Sequence, residues 1–92
     1  MTKIKLLNGV IINAKTVEIV QDVLEITTDE MTVEALARLF SDESNTKEIK
    51  LMTVSGKESG LQTGFTHFEG IMYNADDSKT VHLLRSKQQK RN

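Results

Sequence analysis

The spacing of apolar residues predicts a single α-helix near the middle of the chain. Four apolar positions recur at intervals of three and four residues and would form one stripe: Val33, Leu36, Ala37 and Phe40. Thr32 is placed to cap the helix by accepting a first-turn amide bond, and Met31 can pack on Leu36 from outside the cap. Asn45 is expected to end the helix region in a left-handed conformation. The pattern therefore predicts a helix at about residues 33–41, laid over a sheet.

The first two apolar segments predict a β-hairpin. Lys3–Leu7 and Val10–Asn13 flank Asn8-Gly9, a pair that tolerates the positive φ angles of a type I′ turn. A two-residue loop sets a register with apolar pairs on both faces: Leu6 with Ile11, and Leu7 with Val10. One of these faces is expected to be covered by the helix or by a neighbouring protein.

A second hairpin is predicted around Gln21-Asp22. The segments Thr16–Val20 and Val23–Thr27 align in a register that joins apolar residues: Val20 with Val23, Ile19 with Leu24, and Val17 with Ile26. Glu18 and Glu25 alternate onto the opposite side, as expected for a sheet with one wet face.

The remaining segments also alternate as strands. Glu48–Val54 and Thr80–Leu84 are regular, whereas Leu61–Tyr73 contains two glycines and is expected to break near Glu69-Gly70. The predicted fold is a single α+β domain over residues 1–85, of order ββββ-α-βββ(β), whose antiparallel hairpins form a sheet or a small barrel or sandwich packed by one helix. The polar residues 86–92 are predicted to be a disordered basic tail.

Composition narrows the functional classes. The chain has 92 residues and a net charge of −1, which argues against wholesale nucleic-acid binding and against a membrane surface. No cysteine is present, so thiolate chemistry and thiolate zinc sites are excluded, and a reducing cytoplasm is expected. No stretch reaches the roughly 20 apolar residues of a membrane span, and the N-terminal apolar run is too short for a signal peptide. We therefore expect a soluble, unprocessed protein.

The candidate catalytic chemistry is sparse. His67 and His82 are the only imidazoles, and a small enzyme or two-histidine metal site would have to use both. No metal-binding spacing is present, so two half-exposed strand histidines are the favoured interpretation. The acidic loops at 41–45 and 76–78 are better explained by turns than by cation binding. The glycine-containing loop Ser55–Gly60 joins strands and lacks the order of a phosphate-binding loop. We predict no enzymatic activity, no cofactor and no metal.

Two other groups of residues are candidates for binding. The basic residues at the C-terminal end could contact nucleic acid in a regulatory role, although a solvated tail is favoured: Arg85, Lys87, Lys90 and Arg91. Phe65 and Phe68 would lie on opposite faces of a strand, so one of them is expected at an edge or interface, unless the sheet is covered on both sides. Together with the first hairpin they define a candidate protein interface: Leu7, Val10, Ile12, Phe65 and Phe68.

Three segments carry a resemblance to a known group of proteins. These are Lys5–Ile12, with its Leu-Asn-Gly hairpin, Glu25–Phe40, with its Met-Thr capped helix ending in Phe, and Gly64–Ile71, with its Gly-aromatic-Thr strand. In this order they resemble small structural proteins of long-tailed phages and prophages of Gram-positive bacteria, from the tail or baseplate region. The resemblance implies a non-enzymatic structural or assembly role through protein–protein contacts. Its implied partners are other phage structural proteins or further copies of the chain. The implied location is the bacterial host cytoplasm during assembly, and the resemblance leaves open whether the protein stays in the virion.

Overall fold

The fold combines antiparallel β-sheets with two short helices. The computed structural model describes residues 2–85. Within them the chain forms eight strands and two helices: β1 Thr2–Lys5, β2 Ile11–Ala14, β3 Thr16–Val20, β4 Val23–Thr28, α1 Val33–Phe40, α2 Glu43–Thr46, β5 Glu48–Met52, β6 Glu58–Thr63, β7 His67–Tyr73 and β8 Lys79–Leu84. The predicted α+β class is confirmed. The order is ββββ–αα–ββββ, and the basic tail at 86–92 lies outside the described residues.

The strands divide into two four-stranded sheets. One sheet has the order β2-β1-β5-β6 and the other β3-β4-β8-β7, and every pairing is antiparallel. Only Lys15 separates β2 from β3, so the chain passes from one sheet to the other at this residue. The Lys15 amide donates to the Thr27 carbonyl at 2.6 Å and holds this corner against β4. β1 and β2 thus belong to the first sheet, and β3 and β4 belong to the second.

A single apolar core joins both sheets to helix α1. Its fully buried members come from every part of the fold: Ile4, Leu6, Ile12, Ala14, Leu24, Ile26, Leu36, Phe40, Ile49, Phe65, Val81 and Leu83. Within the predicted helical stripe, Leu36 and Phe40 are buried while Val33 and Ala37 are half-buried. Helix α1 contacts β7 and β8. Its packing over a sheet is therefore confirmed, and burying a side chain the size of Leu36 contributes about 1.5–3 kcal/mol.

The prediction of one helix was incomplete. The Thr32 hydroxyl accepts the Ala35 amide at 3.1 Å, as the sequence indicated. The polar residues after Phe40 were read as a turn, but they wind into α2 because the Asp42 carboxylate caps it by accepting the Ser44 amide. Asn45 lies inside α2 without a positive φ, so the predicted left-handed cap was wrong. Its side-chain amide instead donates to the Leu39 carbonyl at 2.9 Å and satisfies the end of α1.

The register predicted for the first hairpin was wrong by one residue. β1 and β2 pair Ile4 with Ile12. The Gly9 amide donates to the Leu6 carbonyl at 2.9 Å, and Gly9 alone in the turn has a positive φ, of 92°. The loop is therefore three residues long, a type I turn followed by a glycine bulge. A one-residue slip exchanges the two faces, so Leu6 is buried and Leu7 points outward.

The second hairpin has the predicted register throughout. Val20 pairs with Val23 and Glu18 with Glu25. Gln21 and Asp22 both adopt positive φ, of 50° and 67°, so this pair forms the type I′ turn that the sequence had suggested for the first hairpin. Leu61–Tyr73, predicted to break near Glu69-Gly70, breaks instead at residues 64–66, between β6 and β7. At Glu69-Gly70 the strand β7 continues, with a register irregularity between Phe68 and Gly70.

Neither helix in residues 2–85 is long and apolar enough to cross a membrane.

Candidate interaction surface

Two of the five candidate interface residues are not on the surface. Ile12 and Phe65 each expose only 1% of their surface and belong to the core, so both predictions were wrong. Ile12 is inside because the observed register pairs it with Ile4. Phe65 lies between β6 and β7 and not within a strand, so strand alternation does not govern its direction. Phe68 is half-buried and packs against the core.

Leu7 and Val10 remain exposed, and Val10 lines an open groove. Leu7 is 51% exposed and Val10 36%. The groove runs between the first hairpin loop and the two helices, and we call it the hairpin–helix groove; it is lined by Val10, Met31, Ala35, Arg38, Leu39, Asp42 and Asn45. Four of these residues are apolar and the other three supply polar and charged groups, a composition suited to protein recognition.

Main-chain hydrogen bonds hold the two walls of the groove together. The Leu7 amide donates to the Asn45 carbonyl at 3.0 Å, which fastens the hairpin loop to α2. The Asn45 side chain reaches Leu39 on α1, so one asparagine links the loop to both helices. The Val10 amide donates to the Asn8 side chain at 3.1 Å, which fixes the loop from within. The groove is thus preorganised, which lowers the ordering cost of binding.

Arg85, a candidate nucleic-acid contact, is engaged within the domain. Its Nε atom lies 3.3 Å from Asp22 Oδ1, and its guanidinium carbon lies 4.5 Å from the centre of the Phe65 ring. These contacts fix Arg85 against the second hairpin. The other three basic candidates, Lys87, Lys90 and Arg91, lie outside the described residues.

The two histidines lie on neighbouring strands and on the same face of the second sheet. His67 pairs with Leu84, which is two residues from His82 on β8, so the histidines are diagonal neighbours. His82 Nε2 lies 3.7 Å from Glu25 Oε2. Within residues 2–85 no three His, Cys, Asp or Glu side chains come together in a way that could hold a metal ion.

In both acidic segments an aspartate accepts hydrogen bonds from the serine two residues further on: Asp76 in the β7–β8 turn and Asp42 at the start of α2. The Asp76 carboxylate accepts from the Ser78 hydroxyl at 2.6 Å and amide at 3.1 Å, and it also pairs with Lys15 at 3.1 Å. These bonds, those from Ser78 above all, hold the pKa of Asp76 well below its usual value. Asp42 likewise accepts from the Ser44 hydroxyl and amide, which lowers its pKa. The two aspartates therefore stabilise the local backbone.

Sequence reasoning missed the helix side of the groove. Leu39 and Ala35 lie outside the predicted apolar stripe, and the sequence analysis gave them no role. Leu39 is half-buried against the core and also lines the groove. An apolar residue beyond the stripe was the available signal, because the wet face of a helix seldom needs one.

The fold and this surface define a small β-rich α+β domain with a preorganised apolar groove. The chain matches no protein-family model, no curated protein and no solved structure.

Proposed function

We propose that this chain is a non-enzymatic structural or assembly protein of a phage or prophage, associated with the tail or baseplate and acting through protein–protein contacts. The observation that carries the proposal is the hairpin–helix groove, where the exposed Val10 lies beside Met31, Ala35 and Leu39. Val10 stands at its edge, and Leu7 and Ile11 on the same hairpin are 51% and 52% exposed. Apolar residues gathered beside one fixed groove are typical of a partner surface.

The segment that supports the resemblance also builds this surface. The Leu-Asn-Gly hairpin supplies Val10, and the Met-Thr capped helix supplies Met31 and Leu39. The proposed partner is therefore another virion protein or a further copy of the chain, met in the host cytoplasm during assembly and retained in the virion.

Size-exclusion chromatography with light scattering tests the proposal. The chain is run alone and then with each protein encoded by the genes that flank its own. We expect a defined homo-oligomer or a complex with at least one of these proteins. A strict monomer that binds none of them would contradict the proposal.

A further inference from the structure

Each sheet ends in two edge strands, and an edge strand presents unpaired amide and carbonyl groups to any extended chain. The four edge strands of the described residues are β2 and β6 in the first sheet and β3 and β7 in the second. Whether an edge accepts a further strand depends on what interrupts it.

Three of these edges carry an interruption. On β2, the Asn13 amide donates to the Glu30 carboxylate at 3.0 Å, and its carbonyl accepts the Thr28 hydroxyl at 2.7 Å. On β6, the register shifts at Ser59, which faces no partner residue on β5. On β7, Glu69 interrupts the pairing with β8 in the same way. Blocked or bulged edges of this kind prevent strand addition.

β3 is the regular edge. All five of its residues pair consecutively with β4, and no side chain of residues 2–85 bonds to its backbone. The pair that flanks a two-residue turn is hydrogen-bonded, and bonding direction alternates along a strand. The amides and carbonyls of Val17 and Ile19 therefore point away from β4. Ile19 and Val20 are 45% and 44% exposed, so apolar side chains accompany this open edge.

The side chains of β3 specify the partner. Val17 and Ile19 lie on the core side of the sheet and Glu18 on the outer side, directly opposite Glu25. Like charges directly opposite each other on two strands destabilise a sheet. His82, which lies near Glu25, is on β8, on the side of β4 away from β3. Glu18 itself takes part in no ion pair within residues 2–85.

We infer that β3 binds, by antiparallel strand addition, an extended segment of a partner protein that carries a lysine or arginine between two apolar residues. The cation pairs with Glu18, and the apolar residues cover Val17 and Ile19. This inference goes beyond the proposed function, because it concerns a different surface from the hairpin–helix groove.

A second copy of β3 is the wrong occupant. Two copies that pair about a twofold axis and use all the outward groups of Val17 and Ile19 must place Glu18 against its own equivalent. Cβ atoms of such a pair lie about 4.5–5.5 Å apart, and two carboxylates at that distance repel. Glu18 therefore acts against self-pairing while it favours a basic strand.

The chain itself supplies the probe for this inference. In the variant Glu18→Lys, β3 becomes a strand with a lysine between Val17 and Ile19, the chemistry proposed for the partner. Wild type, variant and an equimolar mixture are compared by sedimentation velocity at low and high salt. We expect association in the mixture at least about tenfold stronger than in either protein alone, weakening as salt screens the pair.

Two further variants separate strand pairing from simple charge attraction. Ile19→Pro in the Glu18→Lys background removes an amide that points away from β4, and an edge strand tolerates this loss. The substitution should abolish the mixed complex, while circular dichroism should show that the fold is retained. Glu43→Lys places the same charge on exposed α2 and should not associate with wild type. A mixture that stays monomeric, or a complex that survives Ile19→Pro, would overturn the inference. Neither outcome bears on the groove, whose residues are unchanged.

Discussion

The Arg85 guanidinium lies 4.5 Å from the centre of the Phe65 ring and pairs with Asp22 at 3.3 Å. Phe65, in the connection between β6 and β7, is thus shielded from water by Arg85, which directly follows β8. The same contacts tie the turn of the second hairpin to the end of β8. Arg85 therefore has a structural role, which its position among basic residues in the sequence does not reveal.

Replacing Arg85 with Ala should lower the free energy of unfolding by about 1 kcal/mol, since a cation–π contact at a partly exposed site is worth about 0.5–1 kcal/mol. Urea titration measures the change. Asp22→Asn removes the charge of the ion pair but suits the positive φ of residue 22, so it should cost less than about 0.5 kcal/mol, because both groups are also more than half exposed. Equal losses in the two variants would show that the ring contact contributes nothing.

The turn at Gln21-Asp22 should be improvable. Both residues hold positive φ, which costs a residue other than glycine roughly 1–2 kcal/mol and asparagine less. Gln21→Asn should therefore raise the free energy of unfolding by about 0.5 kcal/mol in the same titration. Gly9→Ala is the opposite case, because its φ of 92° disfavours any side chain, and should destabilise the protein. A destabilised Gln21→Asn variant would argue against the turn geometry.

The two hairpins show what sequence can and cannot predict. In the second, turn position and apolar pairing favour the same register, and the prediction was right. In the first, an Asn-Gly turn favoured a register that would expose Ile12, whereas the observed register buries both Ile4 and Ile12. Burying one such side chain is worth about 1.5–3 kcal/mol, which exceeds the preference for one turn type.

The groove could be predicted only in part, for a similar reason. Leu7 and Val10 were identified from the hairpin, because they are apolar residues beside a turn. Their contact with α2 through Asn45 depends on a helix that a run of turn-forming residues did not reveal. Leu39 belongs to the site only because the loop packs beside it, which no local pattern encodes.

Thr28 should be the most sensitive polar residue near the β2 edge. It is fully buried, donates to the Asn13 carbonyl and accepts the Glu30 amide at 3.2 Å. Thr28→Val keeps the shape and leaves both partners without their bond, so the free energy of unfolding should fall by about 1–3 kcal/mol. Thr63→Val, at an exposed position of β6, is the matched control and should change stability little. Equal effects in chemical denaturation would remove the special role of Thr28.

Asp76 should make stability depend on pH in the acid range. Its pKa is lower in the fold than the ordinary value of 3.8. The stabilisation is complete above that value and is lost as pH falls through the folded pKa. Asp76→Asn should therefore lose less stability than wild type when the pH is lowered below 3.8, as thermal unfolding at several pH values would show.

Two further variants rank the causes. Ser78→Ala should flatten the same part of the pH curve, because the Ser78 hydroxyl is the largest influence on Asp76. Lys15→Met should flatten it less, since the lysine contributes less. The reverse order would contradict this description of the turn.

The account depends most on the hairpin–helix groove as a binding surface. The decisive measurement is the affinity, by isothermal titration calorimetry, for whichever flanking-gene product co-elutes with the chain. Val10→Glu and Ala35→Glu should each weaken binding at least about tenfold, because each places a charge on the apolar lining of the groove. Val54→Glu, at an apolar position that is 61% exposed in the β5–β6 turn, should bind as wild type does. Unchanged binding by both groove variants would contradict the account.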